Sequence, residues 1–223
     1  MTRLMYLTDL RHITLRLMAV LALALGLAGA AAPLAAQQLS GFDQALAEAV
    51  SKDPALVRFY SARDWQPIWT TGADAARRHA FFMALAGAGD HALPVSEYDA
   101  AGLARRFTTL QTERDRARLE AAMSATLLAY AQDVQIGVTV PGKIDSNIAR
   151  KPAAQDRLAL LTGFATGDPD AFLRSLPPAL PQYGQLMRAK FDIEAALAAG
   201  GWGPKVPVQG SIKPGATGPA VIA

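Results

Sequence analysis

From residue 37 onward, apolar side chains recur three and four positions apart, the period of helices with one buried face. Phe42, Ala45, Leu46, Ala49 and Val50 make the first such face. Asp53-Pro54 then supplies an N-cap and a proline at the first helical position, predicting a second helix that carries Leu56, Val57 and Tyr60. Trp65-Gln66-Pro67-Ile68-Trp69 cannot extend it, because Pro67 lacks the amide hydrogen and biases Gln66 toward extended geometry. Asp74 is placed to cap a third helix through Phe81, Phe82 and Leu85, with a stop at Gly87 and Gly89. After the loop His91-Ala92-Leu93-Pro94, Ser96 can cap a short helix with Tyr98 and Leu103.

The longest periodic stretch runs from Gln111 to Gln135, with Leu119, Met123, Leu127, Tyr130 and Val134 on one stripe and Gly137 as its stop. Its charged first half, Glu113 to Glu120, reads as a solvated start, and Val138 to Asn147 as a loop around Pro141-Gly142. Asp156 to Leu161 is a short helix, and Asp168-Pro169 repeats the cap-and-proline device ahead of Phe172 and Leu173. Pro177, Pro178 and Pro181 precede a final helix with Tyr183, Leu186, Met187, Lys190, Ile193 and Leu197, ending at Gly200-Gly201. The pattern predicts an all-α fold, an irregular bundle of six to eight short helices. Its expected core is Phe42, Leu46, Val57, Tyr60, Trp65, Trp69, Phe82, Leu85, Leu119, Met123, Leu127, Tyr130, Leu173, Tyr183, Leu186, Met187 and Phe191.

Both ends depart from this periodicity. Leu17 to Ala36 is an apolar run behind Arg3, Arg11 and Arg16, and it closes on small residues before Gln37-Gln38. That is the order of a secretory signal peptide over residues 1–36, with cleavage expected after Ala36. A run of about 20 apolar residues can also just span a bilayer, so an uncleaved inner-membrane anchor is the alternative. Either way the body is expected in the periplasm, and a membrane enters only through this segment. At the other end, residues 203 to 219 hold four prolines and four glycines, a linker composition.

Composition narrows the chemistry. The net charge of +3 invites a nucleic-acid reading, but three of the 22 basic and one of the 19 acidic residues lie in the first 36, leaving 19 and 18. Nucleic-acid binding loses its support. Zero cysteines among 223 residues exclude a disulfide scaffold, a zinc-thiolate site and a cysteine nucleophile within this chain. His12 lies in the signal segment, His79 has no carboxylate at helical spacing to orient it, His91 follows Asp90 in a turn, and none shows metal-binding spacing, so no metal, cofactor or catalytic residue is assigned. Paired acids such as Glu48 with Asp53, or Glu97 with Asp99, read equally well as caps or solvated faces as a hydrolase pair. Trp65 and Trp69 around Pro67 can be a core plug or an aromatic platform. With Tyr98 they are the candidate contacts for cell wall or a partner.

Several segments together resemble one family. Phe59-Tyr60-Ser61-Ala62-Arg63-Asp64-Trp65-Gln66-Pro67-Ile68-Trp69 is similar to the opening motif of the helical scaffold domain in large periplasmic murein L,D-transpeptidases. His91-Ala92-Leu93-Pro94 with Tyr98 resembles that family's H-G-L-x-P-x-x-Y turn, with Ala92 in place of the usual glycine. Leu127 to Val134 with Gly137 and Pro141, Leu176-Pro177 through Tyr183 and Leu186, and Gly200-Gly201-Trp202 through Gly215 follow in the family's order. The resemblance implies a scaffold domain over residues 37–202 and, over 203–223, a linker with the truncated start of a peptidoglycan-binding module. It implies a role in peptidoglycan cross-linking, with peptidoglycan or cell-wall enzymes as partners. The family's catalytic S-H-G-C motif matches no position here, so this chain is expected to be no enzyme by itself. Exposed apolar surface is expected where the family's other domains dock. A second expectation is a free-standing periplasmic wall-binding or adaptor protein.

Overall fold

A computed structural model describes residues 40–149, 153, 156–203 and 214–215. The expected export signal and most of the 203–223 tail lie outside the described residues. The chain divides into two units, Met1–Ser40 and Gly41–Ala223, and the helices below all belong to the second.

Among the described residues all regular structure is helical, as the periodicity predicts. The α-helices are α1 (Gly41–Val50), α2 (Pro54–Ser61), α3 (Ala75–Ala86), α4 (Ala100–Thr108), α5 (Glu113–Ile136), α6 (Pro141–Ile144), α7 (Arg157–Thr166), α8 (Pro169–Ser175) and α9 (Pro181–Ala198). Three 3₁₀ turns, Gly72–Asp74, Gly87–His91 and Val95–Tyr98, join α3 and α4 to their neighbours. The starts are written in capping residues. Asp53, Asp156 and Asp168 each accept from the first free amides of α2, α7 and α8, and Pro54 and Pro169 stand at the first helical position. Thr112 and Asp115 form a capping box at α5, and Gly137 at φ +83° ends it.

The long α5 is the centre of the packing: α1, α4, α7 and α2 all lie against it, while α3 packs on α8. Trp69 sits between Phe81 and Phe164, with ring centroids 5.2 and 5.0 Å away, and Phe81 meets Tyr130 edge-on. Such tilted and edge-to-face pairs add about 0.5–1.5 kcal/mol each beyond the area they bury.

The structure corrects the sequence reading in several places. The charged start of α5 is not wholly solvated: Ala117, Leu119 and Glu120 are buried, and the Arg116 guanidinium lies over the Phe42 ring. The stretch expected as a loop after Gly137 contains the short α6. Asp99, not Ser96, caps α4. Asp74 turns its carboxylate back to Thr71 and across to Arg77 instead of capping α3. In the core, Val57, Trp65 and Phe82 are partly buried, whereas Ile68, Phe81, Leu128, Leu161 and Phe164 are fully enclosed. The largest difference is α9: Leu186 is 71% exposed, Phe191 is exposed, Tyr183 and Met187 are half-buried, and no residue of the helix is buried. Apolar spacing marks a face that prefers cover but does not supply it.

Candidate functional site

Two polar clusters are built into the bundle. The first is a closed knot around Glu120, a carboxylate on the buried face of α5. Oε1 accepts from the Ile68 amide at 2.6 Å and from the Tyr60 hydroxyl at 2.9 Å. Oε2 accepts from the amides of Trp69 and Thr70 at 3.2 and 3.1 Å and from the Thr70 hydroxyl at 2.9 Å. Tyr60 gives its single proton to Glu120, so Ser124 is the donor in its 2.6 Å contact with the Tyr60 oxygen. Ser124 in turn accepts from Trp69 Nε1 at 2.8 Å. Arg77 and Arg78 finish the knot by donating to the carbonyls of Ile68 and Trp69. Burial pushes the Glu120 carboxyl above its ordinary value, with these donors pulling partly back, and burial beside Glu120 raises the Tyr60 phenol. Every polar atom of the Glu120 carboxylate is engaged, so the knot anchors the Trp65–Trp69 segment and leaves nothing free for a ligand.

The second cluster opens to solvent. The Gly87–His91 turn ends on Ala92 in the left-handed conformation, φ 58°, which closes the chain back through Ala92 N to Gly89 O at 2.9 Å. This swings His91 toward α9, where Nδ1 lies 2.6 Å from the Tyr183 hydroxyl and the two rings stack at 6.1 Å. Behind them the Tyr98 hydroxyl donates to Asp133 at 2.9 Å, and Tyr130 meets the Tyr98 ring edge-on at 5.7 Å. Burial lowers the His91 pKa, helped by Lys190 and opposed by Asp90, so the ring is neutral at pH 7. Burial, then the Tyr183 and Asp90 oxygens, push the Tyr130 phenol up to about 12. Burial also raises Tyr98 and Tyr183.

Clefts flank the His91–Tyr183 pair. One, of about 340 Å³, runs between α3, the Gly87–His91 turn and α8, with Asp90, Tyr130, Asp170 and Arg174 on its walls. The other, also about 340 Å³, is lined by His91, Asp133, Gly137 to Thr139, Pro178 and Tyr183. Perturbed phenols and an imidazole gathered in a cleft make a binding-site candidate. No cluster of three or more metal-ligating side chains occurs among the described residues.

The candidate contacts fare differently. Trp69 is 0% exposed and Tyr98 4%, so neither presents a ring face at the surface. Trp69 is the plug of the core. Trp65 keeps partial exposure, held at φ 59° beside Asp64 at φ 51°. His79 is exposed, while His91 is drawn into the second cluster. Glu48 pairs with Arg114, Asp53 pairs with Arg157 while capping α2, and Asp99 caps α4. Sequence reasoning missed Glu120, Ser124, Asp133 and Arg174. Glu120 and Ser124 left one signal, a four-residue spacing in line with Leu127 and Ala131 on the apolar stripe.

A family model for the Scaffold domain matches residues 54–189, which takes in the Trp65–Trp69 segment, the Glu120 knot and both clefts. No curated protein and no solved structure matches the chain. With well over half of its residues inside that match, the chain belongs to the Scaffold domain family.

Proposed function

We propose that the chain is the non-catalytic scaffold portion of a periplasmic L,D-transpeptidase-like protein that takes part in peptidoglycan cross-linking. What supports this is an ordered set of motifs, from Phe59–Trp69 through His91–Tyr98 to Leu176–Leu186, lying within the Scaffold domain match. A thioester route needs a thiolate with a histidine base, and the 223 residues contain no cysteine. The role left to this chain is to support and position. Exposed Leu186, Ile193 and Leu197 on α9, with Trp202 beyond it, are apolar surface of the kind a scaffold offers to neighbouring domains.

Two measurements test the proposal. A reporter phosphatase active only outside the cytoplasm, fused after Gly203, is expected to be active with residues 1–36 present and inactive without them. Purified residues 37–223, incubated with tetrapeptide-rich murein, are expected to form no 3-3 cross-links. An inactive full-length fusion, or cross-links from this chain alone, would overturn it. The alternative of a free-standing adaptor predicts that the same protein is retained on purified sacculi. Trp69 is buried, so retention there has to survive changes confined to that ring's neighbours in the core and depend on surface such as α9.

A further inference from the structure

The cleft between α3 and α8 has features that holding up a bundle does not require. Asp90, Asp170 and Arg174 stand around it, and none of the three is in an ion pair among the described residues. Asp170 and Arg174 are one helical turn apart on α8, the spacing at which opposite charges usually meet. Tyr130 also lines the cleft. The residue is only 3% exposed, yet its hydroxyl makes no hydrogen bond to the described residues. The hydroxyl itself is not sealed from solvent, so it reaches the open space of the cleft, where it can donate to a bound group. The floor is aliphatic, with Leu173 and Pro177 on it.

These groups specify a ligand by complement. Two carboxylates against one guanidinium, with His91 neutral, favour a ligand that carries an ammonium. The guanidinium matches a carboxylate, and a protonated phenol donates to a carbonyl. About 340 Å³ over an aliphatic floor accommodates one or two small residues. We propose that this cleft binds the end of a short aliphatic peptide bearing both a free ammonium and a carboxylate. The ammonium lies against Asp90 and Asp170, the carboxylate on Arg174, and a peptide carbonyl accepts from Tyr130. This recognition does not depend on where the chain resides, so its failure would leave the cell-wall proposal standing.

The test is a titration of the full chain, labelled at its methionine methyl groups, with the dipeptide Ala-Lys. Met83, on the cleft rim and 59% exposed, is the reporter. A saturable shift of its resonance is expected, with a Kd on the order of 1 mM, as solvent-exposed charge pairs give. Acetyl-Ala-Ala, which lacks the ammonium, is expected to bind at least fivefold more weakly. Asp170→Asn and Arg174→Gln are each expected to weaken Ala-Lys at least fivefold. Tyr130→Phe, which removes one oxygen and keeps the ring, is expected to weaken it about threefold with helicity unchanged. Arg106→Gln, in a different cleft, is expected to change nothing. Absence of a saturable shift, equal binding of acetyl-Ala-Ala, or full binding by Arg174→Gln overturns the proposal.

Discussion

At the scale of single residues, Glu120 shows how one buried charge organises a segment fifty positions away. Its five donors come from Tyr60 and residues 68–70, so the bend that Pro67 forces on the chain is held by a side chain of α5. Removing the carboxylate leaves three buried or half-buried amides without acceptors. Glu120→Ala is therefore expected to cost on the order of 3–5 kcal/mol in urea unfolding. The pH dependence follows from the direction of the shift. A carboxyl raised by burial keeps its proton in the folded chain at pH values where the unfolded chain has lost it. Its contribution is full below the unfolded value near 4.5 and is lost as pH rises through the folded value. Glu120→Gln is expected to flatten that decline, measured as unfolding midpoints across the mildly acidic range. A steeper decline in the variant would contradict the assignment. The residue was hard to see in sequence because its carboxylate follows five charged neighbours in seven positions, Glu113, Arg114, Asp115, Arg116 and Arg118, and a run of charges reads as a wet face.

At the scale of elements, starts and stops were legible because they rest on local chemistry. Asp-Pro at 53–54 and 168–169 marks two helix starts, and the structure places α2 and α8 there. Turns depending on left-handed backbone were less legible. Nothing in the residue types Asp64-Trp65 or Ala92 announces a positive φ, and these positions steer the Trp65–Trp69 segment and His91. Asp99 is another such position, at φ 42°, and its carboxylate caps α4 by accepting from Gly102 N at 3.1 Å. A Cβ at residue 102 would overlap that carboxylate. Gly102→Ala is thus expected to destabilise the fold by about 1 kcal/mol through loss of the cap, despite the better helix propensity of alanine. Thermal unfolding of the variant alone and with Asp99→Asn checks this: the two changes share one interaction, so their costs are expected to fall short of additive.

At the scale of the whole molecule, the part of the fold the sequence misjudged is α9, whose apolar stripe the other described helices leave uncovered. Leu127 and Leu186 are the same residue type, each three positions from a tyrosine and seven from a β-branched residue (Tyr130 and Val134; Tyr183 and Ile193), yet one is 0% and the other 71% exposed. Periodicity reports the face a helix would bury, and only the complete set of neighbours decides whether it does. The difference makes a contrast in energy that can be measured. Leu127→Ala removes methyl groups from the packed centre on α5 and is expected to cost about 2–5 kcal/mol. Leu186→Lys together with Leu197→Lys exchanges exposed aliphatic surface for charge and is expected to change stability by less than about 0.5 kcal/mol per site. The second pair carries a further expectation, because exposed apolar stripes associate. Sedimentation of the purified chain is expected to show self-association that rises with concentration, and the double lysine variant to remain monomeric at the same concentrations. A double variant that unfolds as readily as Leu127→Ala would mean that α9 is packed after all. If instead it stays folded and self-associates as before, the apolar stripe of α9 is not the surface that seeks a partner.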